Sequence, residues 1–326
     1  MRDLILASPQ QISHSLKVNK DVRVKTDVDS IILSGMGGSG HPGDLLNALQ
    51  LPSVPLTVHR TYGLPSKIYG KKPLVIVSSY SGNTEEALSS YEAAQKQKLP
   101  ILVSTSGGTL EEWCKRDGVS MAKIDFLDMQ PRHTLFAAFT GLAVALANSN
   151  LADNISSELF RVAGVLDTKI AALEEPAKRL AATLKGVTPV FTASDTLAFA
   201  AFNFKIQTNE NAKTPAFWNY FPELNHNEMV GFTNPQAKFQ VVMLRDASDH
   251  PRVQARMDVT KELYKEWGVA TTDFEVRGEN LLEKMFYAIS FGLWTTYYLA
   301  LEYNIDPIPV EGVENFKKRL KEVLGS

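Results

Sequence analysis

Short apolar runs alternate with longer segments whose apolar residues recur at helical spacing, and the alternation continues along most of the 326 residues. Continuous apolar runs predict strands buried on both faces, and the amphipathic segments between them predict crossover helices. Together they describe an α/β protein with parallel sheets. In the first half, the runs at 31–33, 56–59, 74–78, 101–104 and 120–124 predict strands, with helices at 41–49, 84–97 and 110–115. The segment 134–147, TLFAAFTGLAVALA, is small and apolar on most faces, which predicts a buried helix.

Around 148–154 the sequence SNLADN turns polar, and 155–184 is helical by pattern. A domain boundary is expected here, giving domains 1–152 and 153–326, with a helix crossing between the halves. The alternation then restarts. Strands are predicted at 189–193, 216–220, 239–244 and 271–276, and helices at 196–208, 251–267, 281–303 and 313–323. The halves share their order of elements but no visible sequence repeat, so the expected architecture is two doubly wound subdomains, each a parallel sheet flanked by helices.

Composition narrows the function. With 34 basic and 36 acidic residues the formal charge is −2, which excludes the electrostatic footprint of a nucleic-acid binder and makes any anion site local. The single cysteine, Cys114, permits no intramolecular disulfide and no thiolate metal cluster, and beside Trp113 and Lys115 it reads as a packed residue. The start, MRDLILASPQQI, lacks the sustained apolar core of a signal peptide, and no run approaches membrane-spanning length; a soluble cytoplasmic protein is expected.

Candidate chemistry begins at SIILSGMGGSGH, where Gly35, Gly37 and Gly40 spell G-x-G-x-x-G directly after an apolar strand. A dinucleotide fold also needs an acidic residue at the end of the second strand to take the ribose hydroxyls. Here that strand ends His59-Arg60, which excludes ordinary NAD recognition and leaves Arg60 as a partner for the 2′-phosphate of NADP. The next strand-to-helix junction, VIVSSYSGNTEEA, is more informative. Ser78, Ser79, Ser81 and Thr84 supply hydroxyls and Gly82 allows close approach, just where a helix begins. The first amides of a helix are unpaired and carry the positive end of its dipole, so this junction is suited to a phosphate dianion. The competing reading is an ordinary cap, Ser81 or Thr84 with Glu85 or Glu86.

GMGGSG and SSYSGNTEEA together resemble the sugar isomerase (SIS) domain, whose signature is a strand, a Ser-x-Ser-Gly-x-Thr loop and a helix that hold a sugar phosphate. QPR at Gln130–Arg132, NENA from Asn209, PELNHNE ending at Glu228 and DPIPV from Asp306 narrow the match to the bifunctional phosphoglucose/phosphomannose isomerases of archaea and some bacteria. The resemblance implies two SIS-type subdomains. It also implies a metal-independent aldose–ketose isomerase, an intramolecular oxidoreductase without cofactor, acting on glucose 6-phosphate and mannose 6-phosphate to give fructose 6-phosphate. The alternative is a non-catalytic phosphosugar-binding regulatory protein.

Isomerisation through a cis-enediol needs a carboxylate base, an acid/base pair to open the ring and a cation near the oxyanion. The resemblance assigns proton transfer to Glu210, ring opening to His226 and a lysine of the last helix, and oxyanion stabilisation to Arg132. Lys317 aligns best among the lysines, with Lys318 and Lys321 as alternatives. It also implies a homodimer in which His226 reaches the partner subunit's site. Gly37, Gly38 and Ser39 would line the sugar, while Ser79, Ser81 and Thr84 hold the phosphate. One departure concerns specificity: a threonine linked to the dual activity is missing from PIPVEGVENF, which favours glucose 6-phosphate over mannose 6-phosphate.

Overall fold

The buried run SIILS becomes β1 (Ser30–Ser34), every residue of which is buried. It is followed by β2 (Leu56–His59), β3 (Pro73–Ser78), β4 (Ile101–Thr105) and β5 (Ser120–Lys123). These pair in the order β2-β1-β3-β4-β5, all parallel. The computed structural model describes residues 1–25, 27–68 and 70–324.

Helices pack on this sheet where the apolar stripes predict. Val75, Val77 and Val103 of β3 and β4 meet Ala87, Tyr91 and Ala94 of the Glu85–Lys96 helix and Leu110 and Cys114 of the Gly108–Asp117 helix. Burying side chains of this size contributes about 1.5–3 kcal/mol each for the larger ones. Cys114 is part of this core, and burial pushes its thiol up to about 12, so it is inert as a nucleophile. The Leu135–Asn148 helix is buried at twelve of its fourteen positions, matching its all-round apolar sequence.

A second parallel sheet is built from β6 (Thr188–Ser194), β7 (Phe217–Phe221), β8 (Phe239–Arg245) and β9 (Ala270–Glu275), in the order β7-β6-β8-β9. Numbered within its own half, this is 2-1-3-4, the order of the first four strands of the first sheet. Val190, Val241 and Met243 pack there against Met257 and Tyr264 of the Pro251–Glu266 helix.

The chain divides into two compact units: Asp3–Ala171 with Leu281–Glu283, and Met1–Arg2 with Ala172–Asn280 and the chain from Lys284 on. The Ser156–Lys169 helix lies beyond the boundary expected at 152/153 yet packs against the Ser8–Val18 helix of the first unit, burying Leu159, Val162, Ala163 and Leu166. The polar SNLADN segment marks a turn between two helices, and this buried stripe decides where the second of them sits. The helical stretch expected at 155–184 is broken by a 3-10 turn, Ile170–Leu173, before the Glu174–Leu184 helix. No helix among the described residues is long and apolar enough to cross a membrane.

The His41–Ala48 helix follows the glycine loop, and its first residue generates a stability prediction. His41 is 2% exposed, and burial, with a smaller contribution from the charge of Arg60, lowers its pKa from 6.5 to about 4. The folded chain therefore keeps this imidazole neutral, whereas the unfolded chain takes up a proton as pH falls below 6.5. The stabilising contribution is complete above pH 6.5 and is lost as pH falls towards about 4, by about 3 kcal/mol over the whole interval. Urea unfolding at pH 7 and pH 4.5 should show a smaller loss of stability for His41→Asn than for the wild type; equal losses would contradict this origin.

Candidate functional site

In a 2-1-3-4-5 sheet the crossovers diverge between the first and third strands, and ligands bind in the crevice outside their carboxyl ends. The two motifs singled out in the sequence leave from those two ends. β1 runs into Gly35 and the 3-10 turn Gly37–Ser39, and β3 runs into SSYSGNT. The loops are tied together, since the Tyr80 N–H donates to Ser39 Oγ at 3.0 Å. A Cβ on Gly38 would stand 2.8 Å from the Arg132 nitrogen, so only glycine lets this loop lie against the Pro131–His133 turn. Arg132 itself is 4% exposed. Seven of the predicted residues, Gly37, Gly38, Ser39, Ser79, Ser81, Thr84 and Arg132, thus belong to connected segments of one unit.

Thr84 stands at the N-cap of the Glu85–Lys96 helix with extended backbone, but its side chain makes no cap hydrogen bond. Its hydroxyl instead pairs with Ser79 Oγ at 2.9 Å, and Ser79 Oγ also accepts from the Gly82 N–H at 3.1 Å. Ser81 Oγ accepts from the Asn83 N–H at 3.2 Å. Among the described residues no side chain closes the helix start, so its amides and dipole remain available to an anion. Ser81 is exposed and Thr84 partly exposed, while Ser79 is fully buried and fixes the loop from within.

The loop after β4 braces this one, which the sequence reading did not anticipate. Asn83 Oδ1 accepts from the Thr109 N–H at 3.0 Å and the Thr109 hydroxyl at 2.9 Å, and the Leu110 N–H donates to the Gly82 carbonyl at 3.1 Å. Gly82 and Gly108 both have left-handed φ, +69°, and a Cβ on either would collide with the backbone of the other loop. The glycine pair in TSGGT, placed after the next strand, was the available signal.

Arg60 has a different role from that considered for NADP. Its guanidinium is paired with Asp44 of the His41–Ala48 helix and lies beside Gly40. Burial raises the Asp44 pKa, and Arg60 opposes that shift. The arginine is therefore committed to a partner within the first crossover.

In the second unit, Glu210 lies in the last turn of the Ala198–Asn211 helix and lines a cavity of about 550 Å³ with Asn209, Lys213, Asp306 and Val313. Lys213, with φ of +51°, donates to the carbonyls of Asn211 at 3.2 Å and Asp306 at 2.8 Å. It straps the end of the Glu210 helix to the segment leading into the last helix. Lys213 carried no signal in the sequence beyond its place after NENA.

The polar residues of PELNHNE mostly build their own turn. Asn225 donates to Thr260 Oγ1 at 2.8 Å, Asn227 donates to Glu223 Oε1 at 2.7 Å and accepts from the Glu228 N–H, and Glu228 accepts from Asn219 of β7 at 3.0 Å. Burial raises the Glu228 pKa. Leu224 enters the core, while His226 projects from the 3-10 turn Glu223–His226 as an exposed ring. Lys317 is also exposed, on the Glu311–Leu324 helix, where it pairs with Glu314 at 3.0 Å. Among the described residues the Glu210 cavity reaches Val313, one helical turn before Lys317, and is lined by neither His226 nor Lys317.

Known proteins resemble this chain in sequence and in fold. The family described as the bacterial phospho-glucose isomerase C-terminal SIS domain matches residues 173–320. A bifunctional phosphoglucose/phosphomannose isomerase of Caldicellulosiruptor bescii is 35% identical over 97% of this chain and 97% of its own. One from Aquifex aeolicus is 33% identical over 91% and 92%. Among solved structures, a hypothetical protein of Thermus thermophilus superimposes with a TM-score of 0.74 over 99% of this chain and 90% of its own, at 16% identity, a likeness of fold.

The bracing of the loop after β3 predicts a sensitive glycine. Gly82→Ala places a Cβ against the Gly107 carbonyl in a left-handed conformation, which should cost about 2–4 kcal/mol. Thermal unfolding should show a lowered Tm and loss of the stabilisation that inorganic phosphate gives the wild type. An alanine variant with wild-type Tm and phosphate response would contradict the role of this contact.

Proposed function

The chain belongs to the bifunctional phosphoglucose/phosphomannose isomerase family, and from that premise we propose that it is an aldose–ketose isomerase converting glucose 6-phosphate, and more slowly mannose 6-phosphate, to fructose 6-phosphate. The observation that carries the reading is the helix start left uncapped by any side chain among the described residues, with Ser81 and Thr84 at it, the glycine loop tied to it through Tyr80 and the Arg132 turn lying against that loop. A phosphate dianion is held there by the first-turn amides of the Glu85–Lys96 helix and the hydroxyls of Ser81 and Thr84, with Ser79 fixing Thr84. Gly37, Gly38 and Ser39 offer amides and a hydroxyl to the sugar.

In the reaction, His226 and Lys317 open the ring by moving a proton between the C1 hydroxyl and the ring oxygen. The Glu210 carboxylate removes the proton from C2 of the open aldose, giving a cis-enediol, and returns it to C1 while the O2 proton passes to O1. The Arg132 guanidinium offsets the charge that develops on these oxygens. No step requires a metal, so turnover should survive a chelator. The missing threonine in PIPVEGVENF is the basis for the slower rate on mannose 6-phosphate. The exposed ring of His226 suits a residue that completes the site of a second copy, in a homodimer.

An assay coupled to fructose 6-phosphate formation tests the base. Glu210→Gln should lower kcat by about 10²–10⁴-fold with KM little changed, and a variant of full rate would overturn the assignment. The composite site has its own test. Mixing inactive Glu210→Gln and His226→Ala subunits and allowing exchange should restore about a quarter of wild-type activity, because half the dimers then carry one intact site of two. No recovery from subunits shown to exchange would place both residues in one chain's site.

A further inference from the structure

We infer that Tyr80 is a positioning residue that transmits occupancy of the phosphate loop to Arg132; the inference rests on the roles proposed above for that loop and that arginine. Tyr80 is the third residue of SSYSGNT, between Ser79 and Ser81, and each of its polar groups is used on a different segment. Its N–H donates to Ser39 Oγ in the glycine loop at 3.0 Å. Its carbonyl accepts from the Ser106 N–H at 3.0 Å and the Ser106 hydroxyl at 2.6 Å, in the bracing loop after β4. Its phenol donates to the Phe126 carbonyl at 2.8 Å and accepts from the Met129 N–H at 3.0 Å.

Those last two bonds close a ring of chain just before Gln130-Pro131-Arg132. The aromatic ring acts on the other side of the arginine: with Phe126 it packs against Ile124 and against Ala137 and Ala138, in the Leu135–Asn148 helix that begins three residues after Arg132. Arg132 is therefore bracketed, before and after, by contacts of one side chain whose backbone belongs to the phosphate loop. A third contact comes from Gly38, packed against the Arg132 nitrogen. A displacement of the loop around a bound phosphate has a path through this phenol to the backbone that carries Arg132, because an aromatic side chain has few torsions in which to absorb it.

Geometric errors of about 1 Å at a reacting centre lower rates by up to about 10²-fold. Tyr80→Phe keeps the packed ring and removes only the two phenol bonds. It should lower kcat about tenfold while KM and the inhibition constant of inorganic phosphate stay within about twofold of wild type, since the phosphate ligands are untouched. If the tyrosine acts through Arg132, the two substitutions are not additive: in an Arg132→Ala background, Tyr80→Phe should change kcat by less than about twofold. Wild-type kcat in Tyr80→Phe, an undiminished effect in the Arg132→Ala background, or a parallel loss of phosphate affinity would each overturn the proposal.

A second measurement does not depend on turnover. Hydrogen exchange of peptides covering 126–134 should slow when inorganic phosphate is added to the wild type and should not respond to it in Tyr80→Phe. Equal slowing in both proteins would overturn the coupling. An inactive wild type whose exchange still responds in this way would instead remove the isomerase reading and leave the coupling standing.

Discussion

The helix that follows β3 begins with amides that no side chain among the described residues caps, and the arrangement of the loops around it keeps it so. An N-cap hydroxyl bonded to its own helix is worth about 1 kcal/mol. Thr84 is placed to make that bond, yet its hydroxyl is directed to Ser79. The stability forgone is offset by bracing from outside the helix: Asn83 bonds Thr109, Leu110 bonds the Gly82 carbonyl, and two left-handed glycines allow the loops to touch. The loop is thus held rigid without using the amides it presents, which is the condition for binding an anion with little reorganisation.

The two halves share a strand order but differ in what they place at the point where that order reverses. In the first unit the ends of β1 and β3 carry glycines and hydroxyls. In the second, the end of β8 leads to Asp246, whose carboxylate oxygens each accept from the Lys284 ammonium at 2.8 Å, with Ser248 on the same nitrogen at 2.7 Å. Burial opposes the charge of Asp246, but Lys284 and the Ser248 groups outweigh it and hold its pKa below the usual carboxylate range. Nearby Asp249 is pushed the other way by burial. An arriving phosphate would meet carboxylates there and a cation already paired. The same topology therefore presents an uncapped helix start in one half and is closed by an internal ion pair in the other, a difference of side chains that fold likeness alone does not report.

How much of this was legible in the chain follows from how local each signal is. β1, β3, β4 and β8 are continuous apolar runs, and their positions were readable to within a residue or two because burial on both faces leaves no other pattern. The strand-loop-helix junction after β3 was readable because hydroxyls, glycine and a helix start lie within one turn of sequence. Arg60 misled as an NADP partner because its ion pair with Asp44, sixteen residues earlier, depends on where the first crossover helix lies. The Ser156–Lys169 helix was recognised as a helix but assigned beyond the boundary, since a polar turn looks the same whether or not a domain ends there. Lys213 and Tyr80 carried no signal of their own, because what they hold lies on other segments.

Tyr80 shows why such residues escape a motif. In Ser-x-Ser-Gly-x-Thr, the hydroxyls and the glycine shape the loop and its helix start, and the motif leaves the intervening position open. The constraint on that position comes from the other direction, from a carbonyl and an amide 46 and 49 residues further along the chain. Only a side chain long enough to span the crevice, apolar along its length and bearing both a donor and an acceptor at its tip satisfies both groups at once. Phenylalanine would fill the space without the bonds, and histidine would be too short to reach as far. The residue that the motif leaves open is thus fixed by the segment that leads into Arg132, and in that sense the helix start and the backbone around the arginine are specified together.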